Sequence, residues 1–183
     1  MKNATDDLNS SPLAGSDGSK TLLIIRHAKS SWDAAGTLTD FERPLNERGK
    51  KDAPEMAARL KKRNIKVDAF ISSPAKRAKK TAELFCTALH HPSESIQLIS
   101  KLYHAEAAIF FEVILSLDNS VDTVAIFSHN PGITEFANLI TDKTRIDNMP
   151  TCSILAIKVF TNNWADFAKT KKEFLFFDFP KNI

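Results

Sequence analysis

Three short segments carry most of the potentially reactive side chains in this 183-residue sequence. The first is Arg26-His27, which closes the apolar run Leu22-Leu23-Ile24-Ile25. Histidine can act as a nucleophile, and arginine presents a rigid fork of donors that matches phosphate. The second is Ser72-Ser73-Pro74-Ala75-Lys76-Arg77 and the third is Ser128-His129-Asn130-Pro131; each also follows an apolar run. Taken singly, each has a plain alternative. A strand can simply end in polar residues. Arg77 shares a basic face with Lys76, Lys79 and Lys80, and His129 can be a hydrogen-bonded histidine at a strand end. Together they bring two arginines and two histidines to three strand ends, which favours an anion site. A divalent metal is disfavoured, because Arg26 and Arg77 would repel it and no carboxylates cluster nearby. Neither a metal nor a cofactor is expected.

The elements that must position these groups alternate between two periodicities. Leu22–Ile25 is a continuous apolar run, as expected of a strand buried on both faces. A long polar loop, Lys29–Pro44, follows, and loops of that length are often functional. Asn46 is a candidate N-cap for a helix reaching about Arg63, with Ala53, Met56, Ala57 and Leu60 inward. Pro54 either kinks this helix or marks a restart at Asp52, where Glu55 completes a capping-box spacing. Val67–Ser72 reads as a second strand. Ser73-Pro74 then reads as a cap-plus-proline helix start, and Ala75, Ala78, Ala82, Phe85 and Leu89 as its buried stripe.

Ile96–Ile99 reads as a short edge strand and Ala105–Leu117 as a helix. Val121–Phe127 is a strand, and Asn130-Pro131 repeats the cap-plus-proline start of the next helix. Ser153–Phe160 and Glu173–Phe179 are late strands joined by a polar connection containing Trp164. Alternating strands and helices predict an α/β fold, a sheet covered on both sides. In open sheets of this kind ligands bind beyond the carboxyl ends of the strands, beside helix N-termini.

Composition bounds the rest. With 43% hydrophobic and 26% charged residues, the chain is long enough for one domain with a full core. A formal net charge of +3 is too small to argue for nucleic acid or a membrane surface as partner. Cys86 and Cys152 lie in no metal or redox motif and read as packing residues of a reducing compartment. Residues 1–19 read as a disordered N-terminal tail before a domain spanning 20–183. No apolar stretch suits a signal peptide or a bilayer span, so a cytoplasmic location is the default expectation.

With these segments in order, the chain resembles the histidine phosphatases of phosphoglycerate-mutase-like fold. Their RHG tripeptide is here Arg26-His27-Ala28. Their Ser-Ser-Pro start, arginine and Thr-Ala-Glu are here Ser72-Ser73-Pro74, Arg77 and Thr81-Ala82-Glu83. Their late strand ending in histidine is Ser128-His129-Asn130-Pro131-Gly132. The segments RHAKSSW (Arg26–Trp32), DFERPLNERG (Asp40–Gly49) and SHNPGI (Ser128–Ile133) are similar to the SixA-type phosphohistidine phosphatases.

The resemblance implies a three-layer α/β/α sandwich with a mostly parallel central sheet. It also implies that His27 is the nucleophile of a covalent phosphohistidine intermediate, that Arg26 and Arg77 clamp the phosphoryl oxygens, and that a cationic His129 adds a third donor. Arg43 is a candidate phosphate or substrate contact, or else a surface ion pair. Ser30, Asn130 and His104 are further substrate-contact candidates. The usual L-x-E general acid is missing: Leu102-Tyr103-His104 stands there, with Glu106 two residues on. His104, Glu106 or no enzyme group at all could serve as acid. A phosphoramidate needs less help from an acid than an alkyl ester does, once its imidazole is protonated.

Three function classes stay open. The first is a metal-independent phosphatase of a phosphorylated protein, such as a histidine phosphotransfer protein in signalling, and it predicts an open mouth around His27. The second is a phosphatase of small phosphate monoesters, with a deeper pocket walled by Arg43, Trp32 and Tyr103. The third is a non-catalytic phosphate- or phosphoprotein-binding module, which would not need His27.

Overall fold

The computed structural model describes residues 18–32 and 36–182, so all but the last two residues of the expected N-terminal tail lie outside the described residues. Its centre is a six-stranded sheet of β1 (Lys20–Arg26), β2 (Ala69–Ser72), β3 (Gln97–Leu98), β4 (Thr123–Ser128), β5 (Ile154–Val159) and β6 (Lys172–Asp178). The strand order is β3-β2-β4-β1-β5-β6. The pairings β3–β2, β2–β4 and β4–β1 are parallel, and β5 runs antiparallel to both its neighbours. The mostly parallel sheet is therefore as expected, with β5 the one reversed strand.

Helices α1 (Glu47–Lys62) and α2 (Lys76–Ala88) cover one face of the sheet, and α3 (Ala107–Leu115) and α4 (Gly132–Ile140) cover the other. The unbroken apolar run of β1 serves both layers. Leu22 and Ile24 point into the α3/α4 core with Phe110, Ile114 and Phe136, while Leu23 and Ile25 point into the α1/α2 core with Met56, Leu60 and Phe85. A strand feeding two cores cannot alternate apolar with polar, which is why it reads as a continuous run. Trp164, expected in a polar connection, is fully buried in the α3/α4 core.

Two helix starts are corrected, while α1 follows the expected cap. It starts after Asn46, whose side chain accepts from Gly49 N–H. Of the two alternatives at Pro54 the restart is excluded, because the helix runs through it. Proline removes one intrahelical bond, and the buried stripe of Ala53, Met56, Ala57 and Leu60 holds the rest in place. Helix α2 starts at Lys76 rather than at Ser73-Pro74, and α4 starts at Gly132 rather than at Asn130-Pro131; neither has a side-chain cap. In both places the polar residue the sequence offers as a cap is engaged elsewhere, Ser73 with His129 and Asn130 with Thr134, Asn148 and Met149.

The N-terminus of α4 reaches its place because residue 132 has no side chain. A Cβ on Gly132 would lie 1.7 Å from the carbonyl oxygen of Ala105, a rigid backbone atom. Gly132→Ala must therefore push α4 off the Ala105 turn, and overpacking of this kind typically costs about 1–3 kcal/mol. Thermal denaturation should show a clear drop in Tm for this variant; an unchanged Tm would mean that the approach is looser than described.

Candidate active site

The carboxyl ends of β2, β4 and β1 lie side by side, with Ser72 paired to Phe127 and Arg26 to Ser128. This register brings Arg26-His27, the start of α2 and Ser128-His129 to the rim of one cleft of about 310 Å³. All eight residues singled out from the sequence line it: Arg26, His27, Ser30, Arg43, Arg77, His104, His129 and Asn130. The alternative acid, Glu106, does not. It is exposed at the N-cap of α3, beside a separate depression formed with Pro131 and Glu135.

His27 forms the floor of the cleft and is only 7% exposed. Its Nδ1 lies 2.8 Å from the carbonyl oxygen of Ala28. A carbonyl can only accept, so Nδ1 carries the proton and Nε2 keeps its lone pair as an acceptor. Arg77 Nε–H donates to that Nε2 at 3.2 Å. Burial, then the nearby charges of Arg77, Arg26 and Arg43, lower the pKa of His27 to about 3, against an upward pull from the Ala28 bond. The ring is therefore neutral, with its basic nitrogen turned toward cations. Such a nitrogen can attack phosphorus.

The loop carrying His27 is held from four sides. Thr81 Oγ1 accepts from Ala28 N–H and donates to the Arg77 carbonyl, tying α2 to this loop. Cys152 N–H donates to the carbonyls of Arg26 and His27, and Asn46 N–H to that of Lys29. Gly49 packs so closely on Lys29 that a Cβ would come within 2.1 Å of its carbonyl oxygen. The motif residues Thr81 and Gly49 thus shape the His27 loop without lining the cleft.

His129 sits beside His27, with ring centroids 5.0 Å apart. Its Nε2 lies 2.8 Å from Ser73 Oγ, which also accepts from Ala75 N–H. The serine hydrogen is then available to Nε2, an assignment that puts the ring proton of His129 on Nδ1. Nδ1 is buried and bonds to no group among the described residues, and the same holds for Arg26 Nε. His129 is neutral rather than cationic as expected. Burial, then His27 and Arg77, lower its pKa to about 2, so it is a neutral donor here.

Several of the partners that set the arginines, Asn148, Met149 and Asp40 among them, carry no signal in the sequence. Arg26 Nη1 donates to Asn148 Oδ1 at 3.1 Å and to the Met149 carbonyl at 2.5 Å, and Asn130 Nδ2 bonds to the same two oxygens. Arg43 lies over the Trp32 ring at 3.6 Å and donates to Ser30 Oγ, the Ser31 carbonyl and Asp40 Oδ1. Asp40 is the main omission. Its Oδ2 accepts from Arg77 Nη2 at 2.9 Å and from the Tyr103 hydroxyl at 3.0 Å, and its carbonyl accepts from Arg77 Nη1. Partial burial opposes its ionisation, but the bonds from Arg43, Arg77 and Tyr103 outweigh it and hold the carboxyl well below the usual range. An acidic residue four before a proline in a polar loop gives no sequence signal of such a role.

A buried neutral imidazole beside three arginines, beyond the carboxyl ends of parallel strands, can hold a phosphoryl group and attack it. Residues 22–102 match the family model of the histidine phosphatase superfamily (branch 1). It is 26% identical over 171 residues to an uncharacterised chloroplastic protein of Arabidopsis thaliana, covering 89% of this chain and 76% of that one. Over 81 residues it is 33% identical to the 2,3-bisphosphoglycerate-dependent phosphoglycerate mutase of Bartonella bacilliformis, a match covering 44% of this chain and 38% of the mutase. The fold is similar to that of the protein histidine phosphatase SixA solved with tungstate, with a TM-score of 0.73, 24% identity and coverage of 88% and 98% of the two chains. A SixA structure from Agrobacterium tumefaciens, described as a putative phosphohistidine phosphatase, gives 0.72 at 22% identity, covering 87% and 97%.

Both buried histidines are neutral when folded and titrate normally, near 6.5, when unfolded. Below that value the unfolded chain binds protons that the folded chain refuses, so stability falls as pH falls. The penalty begins at about pH 6.5 and grows toward the folded values near 3 and 2. Tm should decline between pH 6.5 and 5, ahead of most carboxylates, and His129→Gln should flatten the decline. A profile that is flat over this window in the native chain would show that the rings are not buried neutral.

Proposed function

We propose that this protein is a metal-independent phosphohistidine phosphatase that removes a phosphoryl group from a histidine of a partner protein. His27 Nε2 attacks phosphorus in line, the P–N bond to the substrate breaks, and water then hydrolyses the phosphohistidine formed on His27. Arg26 and Arg77 hold the non-bridging oxygens, with Arg43, Ser30 and Asn130 behind them, and His129 donates Nδ1–H. Positioning and charge stabilisation are most of what phosphoryl transfer asks of a protein.

The observation that carries this reading is the orientation of His27, with its proton on the Ala28 side and its lone pair under Arg77. A binding module has no need of a nucleophile presented in this way. The buried Arg26 Nε and His129 Nδ1, without partners among the described residues, are groups a phosphoryl oxygen would satisfy. His104 lies at the rim, mostly exposed, where it can meet the leaving group.

A protein substrate is favoured by the mouth. Trp32, Leu38 and Phe41, all on the loop beside the cleft, are exposed to 79%, 42% and 39%. Exposed apolar side chains grouped around a charged site mark a docking surface rather than a pocket closed over a small ester. The SixA protein of similar fold is itself described as a protein histidine phosphatase.

The test is turnover of a phosphohistidine protein beside a panel of small phosphate esters, with EDTA present. Phosphohistidine should be preferred, His27→Ala should abolish turnover, and Arg77→Ala should reduce it by ~10² or more, the usual size of a preorganised charge contact. Preference for one ester would move the protein to small-molecule substrates. Full turnover by His27→Ala would overturn the mechanism, and a loss below tenfold for Arg77→Ala would place that residue outside the reaction.

A further inference from the structure

The most unusual group in the cleft is its carboxylate. A phosphatase site gathers cations, yet Asp40 reaches into it from the loop between β1 and α1 and binds the very arginines that should receive phosphate. Asp40 cannot be the missing general acid. Arg43, Arg77 and Tyr103 all donate to it, and donors of that kind hold a carboxyl ionised. Its charge must therefore do something else during the reaction.

Three facts locate that task. Oδ2 is engaged twice, by Arg77 and Tyr103, and Oδ1 once, by Arg43, which leaves lone-pair capacity on Oδ1. The Asp40 side chain is 39% exposed, whereas those of His27 and Arg77 are buried on the floor, so it stands nearer the mouth than the nucleophile does. From His27 Nε2 it is reached across one guanidinium, by hydrogen bonds of 3.2 and 2.9 Å. In-line attack by a nitrogen on the floor sends the leaving group away from it, toward the mouth near which Asp40 is exposed.

We propose that Asp40 is a specificity-determining residue whose carboxylate accepts a hydrogen bond from the protonated distal ring nitrogen of a phosphohistidine substrate. This rests on the phosphohistidine reading of the site. In the step, the His27 Nε2 lone pair forms the new P–N bond and the old P–N bond breaks. The released electron pair stays on the substrate nitrogen, and the proton stays on the distal nitrogen, so a neutral imidazole leaves and no enzyme acid is consumed. A carboxylate at that position stabilises the cationic ring that departs easily. It disfavours an alkyl ester, whose oxygen needs a proton that Asp40 lacks and whose developing charge Asp40 repels. The missing L-x-E glutamate and the retained Asp40 then have one explanation.

Asp40→Asn keeps the shape and removes the charge. The native chain and the variant should be compared on a phosphohistidine peptide and on p-nitrophenyl phosphate, whose phenolate leaves without a proton. Both rates can fall, since Asp40 also orients Arg77 and Arg43. The inference requires kcat/KM for the peptide to fall at least ~10-fold further than for the ester, the scale of replacing a charge-assisted bond by a neutral one. It also requires the peptide's alkaline limb, set by the substrate ring, to move to lower pH in the variant. The other charged and titratable groups facing this carboxylate, Arg43, Arg77, Tyr103 and His104, are the same in both proteins. Equal losses on the two substrates, or an unmoved limb, would reduce Asp40 to a positioning residue and overturn the inference. Native protein that cleaves the ester and ignores the peptide would instead refute the phosphohistidine reading, and this inference with it.

Discussion

The hydrogen bond from His27 Nδ1 to the Ala28 carbonyl is the interaction on which the rest of the site depends. It fixes the tautomer, and the tautomer decides whether Nε2 is a nucleophile or merely another donor. Everything around it guards that choice. Burial and three arginines keep the ring neutral, and Thr81 holds the Ala28 peptide so that its carbonyl stays in place. The rigidity of a two-residue loop is thus supplied by α2, by the N-terminus of α1 and by the turn before β5.

Gathering arginines around a buried imidazole creates a second constraint. Three like charges in one cleft repel one another and need an anion. Asp40 supplies it, bridging Arg43 and Arg77, while Asn148 and the Met149 carbonyl hold Arg26. The arginines are therefore preorganised before substrate arrives, which is the condition under which charge contacts lower a barrier most. His129 fits the same logic. Its ring is neutral because burial, and then its neighbours His27 and Arg77, disfavour a charge there, and an arriving phosphoryl dianion would meet a donor already aimed by Ser73.

Much of the fold was legible because each element follows from one local rule. The continuous apolar run of β1, the 3,4-spaced stripe of α2 and the Asn46 cap are set by side chains within a few residues of one another. The nearby errors share one cause. Ser73 and Asn130 look like caps, but each side chain is taken by a partner remote in sequence, Ser73 by His129 and Asn130 by Asn148 and Met149, so the helices begin later. Trp164 lies in the connection between β5 and β6 as expected, but its burial against α3 and α4 has no local signature.

The sequence by itself determined which polar groups meet in the cleft. Arg26, His27 and His129 stand at strand ends and Arg77 in the first turn of the helix that follows one, and strand ends of a parallel sheet converge whatever the rest of the chain does. What only the tertiary structure decided is their state. The protonation of His129, the tautomer of His27 and the role of Asp40 depend on burial and on charges brought together from β1, α2, the Lys29–Pro44 loop and the Tyr103 turn. Electrostatic energy acts through space rather than along the chain, so no spacing of residues encodes it.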